Sequence, residues 1–166
     1  MKKILVPFAD THQFSALIDE YLSGDKALQP FYSLAPEPGS FVHAIRTRNE
    51  FPCDRQVLTD RLTGQYGSLL TSGDTNSQKV SASIALLKKS NCFTVTTGHQ
   101  LNIFTGPLYS IYKIATTIKL AQELAVMHPD NFFIPVFCMA TEDHDVEEIN
   151  DSSIFGKQVT WNRRAG

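Results

Sequence analysis

Excess charge of either sign is what this sequence has least of: fifteen Lys and Arg stand against seventeen Asp and Glu, a net charge of −2 over 166 residues. That balance gives no basic footprint for nucleic acid or for an anionic membrane, and neither is expected as a partner. Cysteine is also scarce. Cys53, Cys92 and Cys138 are odd in number and form no C-x-x-C pair, which excludes a disulfide framework and a zinc knuckle and is read as three reduced, buried cytosolic thiols. No run of about eighteen apolar residues offers a membrane span. The apolar stretch after the first two lysines breaks at Pro7, too short for a secretion signal. With 42% hydrophobic and 19% charged residues and no low-complexity tract, the chain reads as a folded cytoplasmic protein of about one domain.

The first half reads as mainly helical after a short strand over residues 4–6. "THQFSALIDEYLSGD" places Phe14, Leu17, Ile18 and Tyr21 on one helical face between a Thr11 cap and a stop at Gly24. "PFYSLAPEPG", with Pro30, Pro36 and Pro38, reads as an irregular connection. Helical spacing returns over about residues 51–70 and 77–89, divided by "TSGDTNS".

The pattern then changes. "NCFTVTTGHQ" predicts a strand over residues 92–97 that runs into a loop at Gly98. "GPLYSIYKIATTIKLAQELAVMHPD" predicts a long helix between Pro107 and Pro129, with Leu108, Ile111, Ile114, Ala115, Ile118, Ala121 and Ala125 as its sheet-facing side. "FFIPVFCMA" predicts a strand of the kind covered on both faces, although Pro135 removes one ladder donor. Strand, helix, strand makes one βαβ unit, so the fold class is α/β with a nucleotide-binding-like parallel sheet. A further strand over about residues 158–161 comes too late to complete that sheet, so the chain reads as an incomplete domain.

The charge that is present is concentrated. "TEDHDVEEIN" packs five carboxylates and a histidine directly after the second strand. Parallel strands of a βαβ unit finish at one edge, so this loop and "TGHQLNIFTG" are predicted to face each other where open α/β sheets take ligands. Unpaired carboxylates are too costly to bury, and a cleft mouth satisfies them. The first loop also feeds the amino end of the long helix, which favours phosphate or carboxylate. Neither G-x-x-x-x-G-K-[ST] nor G-x-G-x-x-G is present.

Together, "TGHQLNIFTGPLYSIYK" and "PVFCMATEDHDVEEIN" closely resemble the cysteine-adding enzymes of bacillithiol biosynthesis, the BshC family, and "VPFADTHQFSALIDEYL" with Phe31 and Tyr32 resembles the amino terminus of that family. The resemblance implies a class I synthetase-like core spanning residues 1–166, with later inserted segments and a dimer-forming coiled coil absent, and a piece inactive alone. It implies a ligase joining the carboxyl of cysteine to the amine of glucosaminyl malate. ATP is the implied activator, and no protein-bound metal is implied. Carried over position by position, Gly98, Gln100, Thr105, Gly106, Tyr109 and Lys113 form one half of the substrate site, and Glu142, Asp143, His144 and Asp145 the other. His99 stands where the family pattern has a second glutamine and receives no role.

Amide formation needs a neutral amine, so Asp143 and His144 are the candidate proton acceptors. Plainer readings stand beside these. Asp145 can cap a helix starting near Val146, with Glu147 and Glu148 in its first turn, His144 can be a surface imidazole, and Lys113 a solvated lysine. Two rivals remain at this stage. One is a metal-dependent hydrolase using His99, His144 and neighbouring carboxylates. The other is a noncatalytic piece that pairs through an exposed apolar edge.

Overall fold

The computed structural model describes residues 4–102, 106–140 and 149–161. The chain divides into two compact units, Met1–Pro52 and Cys53–Gly166.

In the first unit, residues 4–6 are not a strand as predicted: Ile4, Leu5 and Val6 form no regular element and are exposed, with no partner strand among the described residues. A single turn α1 (Phe8–Thr11) follows, and then α2 (Ala16–Ser23). The predicted stop holds, since Gly24 takes φ 74° and its amide reaches the carbonyls of Glu20 and Tyr21, a left-handed end that glycine adopts without Cβ strain. The start is corrected: the cap position is Ser15, not Thr11, whose hydroxyl instead donates to the Phe8 carbonyl. Tyr21 and Tyr32 meet edge to face with centroids 5.0 Å apart. The proline-rich stretch holds 3-10 turns at Lys26–Phe31 and Pro38–Ser40, and α3 (Phe41–Asn49), which the sequence reading passed over, closes the unit.

The second unit starts with α4 (Arg55–Gln65), the short α5 (Gly67–Leu70) and α6 (Thr75–Leu86). Arg55, at the start of α4, donates to the carbonyls of Leu87 (2.9 Å), Cys92 (3.1 Å) and Ser90 (3.2 Å). One guanidinium thereby ties α4 to the end of α6 and to the first residue of the next strand. Asp74 caps α6, accepting from the amides of Asn76 (2.7 Å) and Ser77 (2.9 Å) and from the Ser72 hydroxyl (2.7 Å). These donors, the Ser77 amide first, lower its pKa from 3.8 to about 2.

The linkage has a definite sign: the Asp74 carboxylate stabilises the fold above its ordinary value, and that contribution disappears as pH falls toward about 2. Asp74→Asn should therefore melt at a lower temperature than the unaltered protein at pH 5. Thermal melts followed by circular dichroism should show the gap closing by pH 2.

The βαβ unit comes next: β1 (Cys92–Gln100), α7 (Leu108–Met127) and β2 (Phe132–Ala140). The strands pair in parallel from Cys92↔Phe132 to Gln100↔Ala140, so the predicted α/β class with a parallel sheet holds. Cys92, Ala121 and Leu124 are buried together with Ile84 and Leu87 of the α6 end. Two details differ from the sequence reading. β1 continues through Gly98 to Gln100, because pairing with β2 persists to that point. And of the seven apolar positions assigned to the sheet-facing side of α7, only Ala121 is buried; Ser110, Thr117, Ala121 and Leu124 form the inward stripe. Small side chains let the helix approach the sheet closely, and the Thr117 hydroxyl is satisfied by the Lys113 carbonyl at 2.8 Å. Leu108, Ile111, Ile114 and Ile118 lie exposed on the adjacent face.

Finally β3 (Asp151–Ile154) and β4 (Lys157–Thr160) form an antiparallel hairpin. Its two-residue turn has φ 49° at Phe155 and φ 74° at Gly156, the paired positive values of a type I′ turn. The predicted strand near residues 158–161 thus belongs to a separate hairpin. The helix predicted to start near Val146, with Glu147 and Glu148, lies outside the described residues.

Candidate functional site

Because Gln100 and Ala140 are register partners, both strands finish side by side, and α7 starts immediately beyond the turn through Gly106 and Pro107. The chain after Gln100 and the chain after Ala140 thus leave the sheet at the same edge.

Glycine is required at both predicted positions, for different reasons. At Gly98 a Cβ would stand 2.7 Å from the Cys138 carbonyl oxygen across the ladder. At Gly106 φ is +65°, and the Asn102 side chain occupies the space a Cβ would need. The carried-over pair is thus explained by close backbone approach and by turn conformation.

Three side chains converge on this edge. His99 Nδ1 lies 3.1 Å from the Gln100 carbonyl oxygen, and its Nε2 is hydrogen-bonded to the Tyr109 hydroxyl. Lys113 Nζ donates to the Gly98 carbonyl at 3.2 Å and sits 5.3 Å from the centroid of the Tyr109 ring. Among the described residues Lys113 pairs with no carboxylate; the ion pair on this helix is Lys119–Glu123, 3.5 Å apart on its solvent side.

Two clefts open here and share His99, Gln100 and Tyr109. One, of about 530 Å³, has Asn102, Gly106 and the hairpin residues Asp151 and Ser153 in its wall. The other, of about 640 Å³, is bounded by Gly98, Lys113, Cys138 and Met139. Each is large enough for a small polar ligand. The ammonium of Lys113 and the amino end of α7 suit an anionic group, and the imidazole–phenol pair suits a hydrogen-bonding one.

Of the predicted site residues, the structure brings together Gly98, Gln100, Gly106, Tyr109 and Lys113. Thr105, Glu142, Asp143, His144 and Asp145 lie outside the described residues. His99 had been weighed only as a metal ligand, not as a partner of Tyr109, and the Asp151–Ser153 wall was not foreseen. For His99 the available signal was its place next to the strand end, opposite an aromatic in the first turn of the following helix; nothing in the sequence pointed to the hairpin.

The cysteines are corrected in part. Cys92 is buried, and desolvation pushes its thiol up, against the opposing pull of Arg55 and Lys89. Cys53 and Cys138 are exposed. Among the described residues no three His, Cys, Asp or Glu side chains are grouped as metal ligands, and His144 of the hydrolase reading is not among them. No described helix is long and apolar enough to cross a membrane.

The family model "Bacillithiol biosynthesis BshC, N-terminal Rossmann-like domain" matches residues 1–166. The chain belongs to the BshC family. It is 44% identical over 152 residues to the BshC protein of Cytophaga hutchinsonii, covering 92% of this chain and 28% of that relative. It is 43% identical over 167 residues to that of Christiangramia forsetii, covering 97% and 30%, and 41% identical over 160 residues to that of Flavobacterium psychrophilum, covering 95% and 29%. All three carry the name cysteine ligase. The chain thus spans less than a third of the length of these BshC relatives, and the resemblance read from the two loops agrees with the family found.

Proposed function

We propose that this chain supplies the Rossmann-like part of a cytoplasmic cysteine ligase that joins the carboxyl of cysteine to the amine of glucosaminyl malate, with ATP activating the carboxylate. The observation that carries the reading is the common edge of β1 and β2 in a BshC-family chain, where Lys113 and the start of α7 face a cleft. An anionic group, carboxylate or phosphate, docks against Lys113 and the α7 amino end.

The amine then attacks the activated carboxyl. A C–N bond forms, the C–O bond to the leaving group breaks, and the proton of the amine passes to Asp143 or His144, with Glu142 and Asp145 beside them holding the substrate. The segment bearing all four follows Ala140, whose register partner is Gln100. Thr105, carried over from the family pattern, contributes its hydroxyl to binding the same anionic group. Homodimerisation through a coiled coil outside this chain completes the proposal.

The test is direct. Incubating the intact protein with cysteine, glucosaminyl malate and ATP should give the amide-linked thiol product by mass spectrometry. Asp143→Asn should slow its formation by about a hundredfold, the scale of a lost proton acceptor. Absence of product from the unaltered protein rejects the reading.

A further inference from the structure

The geometry points to His99 as a positioning residue that sets the hydrogen-bonding direction of Tyr109, so that the phenolic oxygen offers the cleft an acceptor for an N–H or O–H group of the substrate. The inference rests on the ligase reading for what enters the cleft, but not for the dyad itself.

The argument starts from the two ring nitrogens. A backbone carbonyl can only accept, so the contact of Nδ1 with the Gln100 oxygen at 3.1 Å places the proton on Nδ1. In the neutral imidazole Nε2 is then the acceptor, and the Tyr109 hydroxyl must be its donor. That leaves the phenolic oxygen with only lone pairs to offer the cleft. In this state Tyr109 accepts from an N–H or O–H group of a ligand.

A glutamine at position 99 would keep a side chain oxygen able to accept from Tyr109, whereas leucine would leave the hydroxyl without that partner. In the intact protein at pH 8, Tyr109→Phe and His99→Leu should each raise the KM for cysteine or for glucosaminyl malate about fivefold, and His99→Gln should change it less than twofold.

Independently of turnover, ¹⁵N spectra of histidine-labelled protein at pH 8, assigned by the resonance lost in His99→Gln, should show the Nδ1-protonated tautomer. A His99→Leu enzyme whose KM is unchanged, or an Nε2-protonated tautomer at pH 8, overturns the inference. If the unaltered protein forms no product, the ligase reading falls, and the tautomer alone decides for or against the dyad.

Discussion

Gly98→Val is expected to destabilise the protein by about 3 kcal/mol, seen as a lowered denaturation midpoint with little change in its slope. A Cβ at this position would stand 2.7 Å from the Cys138 oxygen and 3.3 Å from Cys138 Cβ. The nearest obstacle is backbone of the paired strand, so it cannot rotate out of the way as a flexible side chain would. β1 and β2 must separate over Gly98↔Cys138. Overpacking of this kind costs about 1–3 kcal/mol, and each ladder bond lost adds about 1 kcal/mol. Gly98→Ala should show the smaller part of the same effect. A Gly98→Val protein with an unchanged midpoint would show that the strands do not approach so closely at the site edge. The corresponding change at Gly106 acts differently: its φ of +65° makes even alanine adopt a left-handed conformation that costs about 1–2 kcal/mol.

The difference between these glycines also marks how much of the site was legible in the sequence. The strand was read as ending at Thr97, with a loop from Gly98, whereas pairing carries β1 three residues further, to Gln100. Register is a property of two segments far apart in the chain, and single-segment periodicity does not contain it. The bounds of β2, by contrast, matched the prediction from "FFIPVFCMA", since a continuous apolar run flanked by polar residues is a local signal.

α7 shows the opposite outcome for a helix whose existence was plain. Its most apolar face is exposed, and its buried stripe contains Ser110 and Thr117. Close helix–sheet approach selects small residues over large ones, which a hydrophobicity count ranks in reverse. Arg55 and Asp151 were invisible for a similar reason. Their significance lies in partners such as the Leu87 and Cys92 carbonyls, or in a shared cleft with His99, that only the folded chain brings close. The shared edge of β1 and β2 was legible early, because the βαβ rule puts both strand ends on one side and the parallel pairing agrees with it.

Lys113→Ala should lower kcat/KM of the intact protein by about a hundredfold, mainly through the KM of the anionic substrate, while leaving the melting temperature nearly unchanged. Lys113 is exposed on a helix, and alanine is the best helix former, so folding has little to lose. The ammonium is nonetheless held in place: it meets the Gly98 carbonyl at 3.2 Å and lies over the Tyr109 ring. No described carboxylate neutralises it. An ammonium fixed in this way at a cleft wall is preorganised for a carboxylate or phosphate oxygen, and a charged hydrogen bond of that sort contributes about 1.5–3 kcal/mol. A hundredfold loss is about 2.7 kcal/mol, inside that range. Lys113→Arg should recover only part of the loss, because the guanidinium fork places its donors differently from a compact ammonium. Raising the salt concentration should weaken the unaltered enzyme more than Lys113→Ala, since the screened interaction is already missing in the variant. A Lys113→Ala enzyme within twofold of the unaltered kcat/KM at low salt would mark Lys113 as an ordinary surface lysine and move the anion site away from the first turns of α7.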